Sequence, residues 1–395
     1  MRKHIILIVG TRPEAIKMAP VYFALVRNKI PVKVCATFQH GTLLQEVFDI
    51  FGITPDFNLN IMKSGQDIFY LTQQVLEKTK NIFEQEDPAL VLVHGDTASA
   101  FAAALSAYYL KIPVGHVEAG LRTHDIYSPF PEEFNRQAIG LIARFNFAPT
   151  DTAVKALRQY GAQDDTIFCT GNTIVDVLHM MQEKISKKYV DISPAILDIV
   201  EQCEFKKQNK VLLTVHRRES FNGGIDRVLE TVKEYALEHP ESCFIYPYHP
   251  NPVVKDAIVR VGLSEVENIY MCEPLPYSDL VYLLLKADLV VTDSGGIQEE
   301  AISLGKTVLV AREKSERMEG VHAGIAHLVG TDKKVIRAAL DKFIGTTHQE
   351  KTNIYGNGDA AEKIVEIIEK NGIVNEESLC CRSGVYRVAN SDHSC

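Results

Sequence analysis

Short, almost wholly apolar runs alternate with stretches of helical periodicity along most of this chain. The apolar runs lie at 5–9, 32–37, 90–94, 113–117, 145–148 and 167–169 in the first half, and at 210–215, 243–247, 268–271, 289–292 and 307–311 in the second. Strands that are apolar on both faces and are separated by amphipathic helices are typical of parallel sheets covered on both sides. The sequence therefore predicts an α/β fold.

The alternation stops between about residues 178 and 209, where the chain is charged and lysine-rich. A chain of 395 residues also exceeds the usual size of one core. We therefore expect two doubly wound, Rossmann-like domains with the site in the cleft between them, because ligands of such sheets bind beyond the carboxyl ends of the strands. The expected parts are an N-terminal domain (1–178), a junction (179–209), a C-terminal domain (210–357), a last helix (358–370) and a flexible tail (371–395).

Charge and composition exclude several classes of protein. The formal net charge is −9 and no basic block is present, which argues against binding to nucleic acids or anionic membranes. No apolar stretch is long enough to span a bilayer, and the apolar run after His4 is too short for a signal peptide, so we expect a cytoplasmic protein. The eight cysteines form no C-x-x-C pair, which indicates reduced, buried thiols and no metal site.

Ionisable and small polar residues directly follow five of the predicted strands, in both halves of the chain. Since parallel strands end at the same edge of a sheet, such residues are expected to meet in one cleft. The residues concerned are Arg12, Glu14 and Lys17, then Asp96, then Glu118, then His216 and Arg217, and finally Ser294, Gly295, Gly296 and Glu300.

Several of these residues suit a phosphate-containing ligand. Pro13 and Glu14 are ordinary at the start of a helix, but Arg12 opposes the positive helix end unless an anion lies there. Gly295 and Gly296 precede a helix and can expose N–H groups to a phosphate, although a simple capped turn would have the same sequence. The basic residues of HRRES (216–220) either form a solvated loop or, with Arg12, neutralise a diphosphate.

Three carboxylates suggest proton transfer at the same place. Asp96 could instead cap a helix, whereas Glu118 ends an apolar strand, where an unpaired charge is costly. Glu132 and Arg136 lie one helical turn apart and are expected to pair. Carboxylates beside a cationic diphosphate site indicate acid–base chemistry on a nucleotide-linked substrate.

Eight motifs, taken together and in order over residues 3–370, resemble one known family. They are GTRPEAIKMAP, VHGDT, VGHVEAGLRT, YSPFPEEFNR, TGNT, HRRES, TDSGGIQEEA and NIYGNGDAAEKI. This set is similar to that of the bacterial non-hydrolysing UDP-N-acetylglucosamine 2-epimerases. The resemblance implies a fold like that of the GT-B glycosyltransferases, a homodimer, and a last helix that crosses back to the first domain.

The resemblance also implies an activity and a set of residues. Members interconvert UDP-GlcNAc and UDP-ManNAc without NAD or metal, by anti elimination of UDP to 2-acetamidoglucal and re-addition, and so supply ManNAc for surface polysaccharides. On this basis the expected catalytic residues are Asp96, Glu118, Glu132 and His216. The expected substrate-binding residues are Arg12, Lys17, Arg136, Arg217, Ser294, Gly295, Gly296, Glu300 and Arg317.

Some members bind a second, activating UDP-GlcNAc beside the active site. Gln39 and His249 match residues used there, but Thr42 and Gly65 stand where the pattern has Gln and Arg. The sequence thus argues against such activation. Two other activities fit the architecture: a GT-B-type UDP-sugar glycosyltransferase, for which we find no acceptor-binding stretch, and a hydrolysing 2-epimerase that releases ManNAc and UDP.

Overall fold

A computed structural model describes residues 3–38, 41–63, 65, 67–217, 223–315, 317–346 and 352–373. Its strands are β1 (Ile5–Val9), β2 (Val32–Ala36), β3 (Phe57–Asn58), β4 (Leu90–His94), β5 (Val114–Val117), β6 (Phe145–Ala148), β7 (Ile167–Cys169), β8 (Asn209–Thr214), β9 (Ser242–Pro247), β10 (Ile269–Cys272), β11 (Leu289–Thr292), β12 (Thr307–Val310) and β13 (Ala326–Leu328). The expected tail lies outside the described residues from position 374 onward.

Helices connect almost all of these strands. They are α1 (Arg12–Arg27), α2 (Gly41–Phe51), α3 (Ile68–Glu86), α4 (Ala98–Tyr109), α5 (Glu132–Ile142), α6 (Asp151–Gln159), α7 (Thr173–Ser186), α8 (Pro194–Phe205), α9 (Gly224–Glu238), α10 (Pro252–Val261), α11 (Tyr277–Lys286), α12 (Gly295–Ser303), α13 (Met318–His322), α14 (Lys333–Phe343) and α15 (Ala360–Lys370). None of the helices in the described part of the chain combines the length and the apolar composition that crossing a bilayer requires.

The strands form two parallel sheets. The first has the order β3-β2-β1-β4-β5-β6-β7 and the second has the order β10-β9-β8-β11-β12-β13. In each sheet the order reverses beside the first strand, between β1 and β4 and between β8 and β11, as in doubly wound folds. The predicted α/β class with two doubly wound sheets is confirmed. We call each sheet with its covering helices the first and the second lobe.

The predicted strands agree with the observed ones to within one residue at each end, but two strands were missed. β3 has two residues, which is too short for an apolar run to be recognised. β13 includes the half-buried His327 and lies at the edge of the second sheet, so its sequence lacks the continuous apolar character of a central strand.

The buried core continues from one lobe into the other. All residues of β1, β4, β11 and β12 are buried. A single hydrophobic cluster includes Leu7 and Leu92 of the first sheet together with Val290 and Val308 of the second. The connection is made by α7, which packs against α1 and α15 and also against α11 and α12. The two lobes are therefore joined by apolar contacts.

The last helix lies on the first lobe. Helix α15 packs against α1 and α7, and Arg27 forms an ion pair with Glu362. The backbone N–H of Ala361 donates to Asp176 Oδ1 at 3.0 Å. The residues between the two sheets are mainly helical, since α7 runs to Ser186 and α8 begins at Pro194.

Candidate active site

The carboxyl ends of the two sheets face each other, and side chains from both lobes meet there. Arg12, at the first position of α1, donates from Nη2 to the carbonyl of Leu275 in the second lobe at 3.0 Å. Thr150, before α6, donates to Glu319 Oε1 of α13 at 2.9 Å. These contacts place the loops that follow β1, β6 and β10 around one cleft.

Glu14 shapes the turn between β1 and α1. One carboxylate oxygen accepts from the backbone N–H groups of Gly10 and Thr11 at 2.9 and 2.7 Å, and the other accepts from the Thr97 hydroxyl at 2.7 Å. Burial raises the pKa of Glu14, against the opposing effect of these hydrogen bonds. Glu14 thus ties the loop that carries Arg12 to the loop that carries Asp96.

Lys17 joins the lobes through two carboxylates. Its Nζ donates to Glu118 Oε2 in the first lobe and lies 2.8 Å from Glu299 Oε2 in the second. Glu299 also accepts from Arg317 Nε at 2.9 Å. All four side chains are nearly buried, the most exposed being Arg317 at 11%. We call this set of alternating charges (Glu118, Lys17, Glu299 and Arg317) the interlobe network.

In the interlobe network, charge pairing affects the pKa values more than burial does. Burial alone would lower the pKa of Lys17, but Glu118 and Glu299 reverse the effect and raise it. Burial would raise the pKa of Glu118, but Lys17 and His94 hold it well below its usual value. Both groups are therefore charged near neutral pH, as a buried ion pair requires.

The surroundings of Glu118 are polar and closely packed. Its backbone has a left-handed φ of 63°, which is uncommon for a residue other than glycine and turns the chain away from β5. Asn172 Nδ2 donates to Glu118 Oε2 at 3.2 Å, and His94 Nε2 lies 3.7 Å from the same oxygen. The other histidine nearby, His116, bonds to the backbone: its Nε2 donates to the carbonyl of Gly95 at 2.7 Å. Burial lowers the pKa of His116 to about 3.

Arg136 holds Asp96 at the end of β4. The two side chains are 2.6 Å apart, between Nη2 and Oδ2, and Arg136 also forms an ion pair with the fully buried Glu133 at 3.4 Å. The predicted pairing of Arg136 with Glu132 is therefore wrong, because Glu133 is the residue of this dipeptide that faces Arg136. Oε2 of Glu132 is instead buried without a hydrogen-bond partner among the described residues.

Asp293 organises the loop that follows β8. The backbone N–H groups of His216 and Arg217 donate to Asp293 Oδ2 at 2.6 and 2.7 Å, and His216 Nδ1 lies 3.2 Å from Oδ1. The His216 ring stacks on that of His249 with centroids 5.1 Å apart. His249 thus lies beside the predicted site, whereas Gln39 falls outside the described residues.

Helix α12 begins with two glycines, which have no side chains, and continues with two buried glutamates. A Cβ at Gly295 would come within 2.4 Å of the Arg317 guanidinium, whereas a Cβ at Gly296 would have no neighbour within 4 Å among the residues that the structure describes. Glu300 accepts from the Tyr277 hydroxyl at 2.8 Å, and burial raises its pKa to about 7. The backbone N–H of Ser294 donates to Thr292 Oγ1 at 3.0 Å.

Sequence reasoning overlooked three buried acids at this site: Glu133, Asp293 and Glu299. Each adjoins a residue that was predicted, and each is almost wholly inaccessible to solvent. A pattern of polar residues identifies the loop but does not show which neighbour faces inward. For Asp293, its position directly after an apolar strand was the available signal. Within the described residues, no group of three or more His, Cys, Asp or Glu side chains has the arrangement of a metal site.

Comparison with known proteins identifies the family. A family model described as UDP-N-acetylglucosamine 2-epimerase matches residues 24–369. The UDP-N-acetylglucosamine 2-epimerase of Campylobacter jejuni is 43% identical over 386 residues, covering 96% of this chain and 100% of that protein. The chain belongs to the UDP-N-acetylglucosamine 2-epimerase family. The family predicted from the motifs is thereby confirmed.

Solved structures agree with this assignment. A crystal structure of the Neisseria meningitidis UDP-GlcNAc 2-epimerase bound to UDP-GlcNAc matches with a TM-score of 0.85 and 40% identity, over 93% of this chain and 100% of that one. The Methanocaldococcus jannaschii UDP-GlcNAc 2-epimerase in complex with UDP-GlcNAc and UDP matches with a TM-score of 0.79 and 32% identity, over 93% and 99% of the two chains.

Proposed function

We propose that this protein interconverts UDP-GlcNAc and UDP-ManNAc by inverting C2 of the sugar, without hydrolysis. One observation carries the proposal: Lys17 connects Glu118 at one sheet edge with Glu299 at the other, so acidic groups of the first lobe lie next to the segment of α12 that suits a nucleotide. The similarity of the whole chain to UDP-GlcNAc 2-epimerases supports this choice of substrate.

The proposed reaction begins with loss of UDP. A carboxylate takes the C2 proton while the C1–O bond breaks and its electron pair leaves with UDP, which gives 2-acetamidoglucal. Because the C2–H bond is only weakly acidic, stabilising the leaving diphosphate is essential, and we assign this role to Arg12 and His216 with the N–H groups at Gly295 and Gly296. Protonation of the opposite face of C2 and return of UDP to C1 then complete the inversion.

Inversion needs acid–base groups on two faces of the sugar. Asp96, Glu118 and Glu132 are the proposed groups, and their order of action is left open. The low pKa of Glu118 makes it an acceptor rather than a donor at neutral pH before substrate reacts. Glu132 has an oxygen without a hydrogen-bond partner in the described protein, which leaves it available to a ligand.

Nucleotide binding is proposed for the remaining predicted residues. Arg217, Ser294 and Arg317 surround the start of α12, and Glu300 is proposed to accept from ribose hydroxyls. Arg136 is proposed to contact the sugar while it holds Asp96. Lys17 is expected to act mainly through Glu118, since two carboxylates already engage its ammonium group.

A proton NMR time course with UDP-GlcNAc in D2O tests the reaction. We expect UDP-ManNAc to appear, with deuterium at C2 of both nucleotide sugars, and no stoichiometric release of free ManNAc. Released ManNAc and UDP would indicate a hydrolysing epimerase, and no change without an added acceptor would favour a glycosyltransferase. The variant Asp96→Asn should abolish C2 exchange and leave the affinity for UDP nearly unchanged.

A homodimer is also proposed, formed through the first lobe. Helices α4 and α5 pack against each other and carry the exposed apolar side chains of Tyr109, Phe134 and Leu141. A second copy is the partner that the family resemblance suggests. Light scattering should give a dimer for the wild type and a monomer for Leu141→Glu, while a monomeric wild type at micromolar concentration would refute the assembly.

Cytoplasmic location and supply of ManNAc for surface polysaccharides are proposed on the resemblance alone. Their test is genetic: deletion of the gene should remove ManNAc from the cell-surface polymers, and supply of an unrelated UDP-GlcNAc 2-epimerase should restore it.

A further inference from the structure

The interlobe network contains a glutamate that belongs to neither the predicted catalytic nor the predicted nucleotide-binding set. Glu299 lies in α12 of the second lobe, and only 1% of its side chain is exposed. Its two oxygens accept from different cations, Oε2 from Lys17 and Oε1 from Arg317. No other buried acid described here joins a cation of the first lobe to a cation of the second.

We infer that Glu299 is a positioning residue for the reaction, which acts on the Glu118 carboxylate through Lys17. The inference deepens the proposed function and rests on it. In the observed arrangement Lys17 divides its charge between two carboxylates, and Glu299 also occupies Arg317. Without Glu299, Lys17 would lose one of the two carboxylates that share its charge.

The consequence for Glu118 follows from simple electrostatics. A proton acceptor loses strength when unshared positive charge lies beside it, because the ionised form becomes too stable. The groups that face Glu118 are Lys17, His94 and Asn172, with Arg317 further away, and Glu299 offsets this positive charge through its contacts with Lys17 and Arg317. Glu299 thereby links contact between the lobes to the basicity and the position of Glu118.

The adjacent Glu300 shows why the effect belongs to Glu299. Glu300 accepts from Tyr277 and is proposed to bind the nucleotide, so its loss should weaken binding of UDP. Glu299 touches two side chains of the network and is not proposed to touch substrate. Its loss should therefore reduce turnover by a larger factor than it weakens binding of UDP, which it can affect through Arg317.

The test compares Glu299→Gln with a control variant, Glu319→Gln, which removes the same charge from the protein. Glu319 also spans the lobes, through the Thr150 hydroxyl, and a glutamine can keep that hydrogen bond. We expect Glu299→Gln to lower kcat and the rate of C2 exchange by roughly tenfold to a hundredfold, as displacement of a reacting group does. KM, and the Kd for UDP measured by calorimetry, should change by a smaller factor than kcat, and Glu319→Gln should resemble the wild type.

Three results would overturn the inference. One is a weaker affinity for UDP with unchanged kcat, another is an equal loss in Glu319→Gln, and the third is an unchanged kcat in Glu299→Gln. Circular dichroism shows whether each variant is folded. If Glu299→Gln does not fold, Glu299→Asp replaces it: this variant keeps the charge and shortens the side chain, so kcat should fall less than about tenfold but measurably, and an unchanged kcat would overturn the positioning role. A wild-type protein that does not epimerise UDP-GlcNAc would refute the proposed function itself, a result that no variant can imitate.

Discussion

Glu299 and Glu300 are neighbours in sequence, yet their surroundings set their charges differently. Glu299 faces Lys17 and Arg317, whereas the closest partner of Glu300 is the neutral hydroxyl of Tyr277. Burial raises the pKa of Glu300 to about 7. The first of these acids is therefore paired with two cations, and the second can change its protonation near neutral pH.

The titration of Glu300 predicts a pH-dependent stability. The unfolded chain has a glutamate pKa of about 4.3, below the folded value of about 7. Ionisation therefore favours the unfolded chain, and the penalty appears as pH rises from 4.3 through 7. We expect Glu300→Gln to raise the melting temperature at pH 8 and to have little effect at pH 5. A difference that does not vary with pH would contradict this assignment.

The two glycines at the start of α12 predict separable effects. Gly295→Ala brings a methyl group against the guanidinium of Arg317, which is already held by Glu299, so we expect a lower melting temperature. Gly296→Ala meets no atom of the described part of the chain within 4 Å, so the fold should keep its stability. If phosphates bind there, the same variant should weaken binding of UDP in calorimetry. Equal melting temperatures for the two variants would show that Arg317 can move aside.

At the scale of elements, helix α15 depends on its apolar face. Ile364 and Ile368 are fully buried against the first lobe. Deletion of buried methyl and methylene groups typically costs about 2–5 kcal/mol, so Ile368→Ala should lower the free energy of unfolding in urea by that amount. Glu369→Ala, on the exposed face of the same helix, is the control and should stay near the wild type. A small effect of Ile368→Ala would mean that α15 is not an integral part of the core.

The elements also show what a sequence can and cannot predict. Central strands such as β1 and β11 are wholly buried, and their continuous apolar character was sufficient to locate them. The edge strand β13 and the two-residue β3 lack that character and were missed. Within α5, periodicity could not show that Glu133 rather than Glu132 faces Arg136, because adjacent helical positions differ by about 100° and the packing against α4 and β5 decides between them.

At the scale of the whole molecule, the shared core predicts cooperative unfolding. Leu7 and Leu92 of the first sheet belong to the same buried cluster as Val290 and Val308 of the second. Separation of the lobes would expose these contacts, so we expect one calorimetric transition whose van't Hoff and calorimetric enthalpies agree. Addition of UDP should shift that single transition to higher temperature. Two resolved transitions, with only one of them shifted by UDP, would contradict this prediction.

The whole molecule also limits what motifs alone could reveal about the site. The polar strand ends pointed to a common edge, because parallel topology brings such ends together. The contact of Lys17 with Glu299 depends on how the two sheets are placed against each other, and no local pattern encodes that placement. The interlobe network, and the place of Glu299 within it, could therefore not be predicted from the sequence.

The return of α15 to the first lobe has a mechanical consequence. The polypeptide passes between the lobes twice, once through α7 and α8 and once between α14 and α15. Two connections restrict the relative motion of the lobes more than one connection would. Any widening of the gap between Lys17 and Glu299 must therefore be compatible with both.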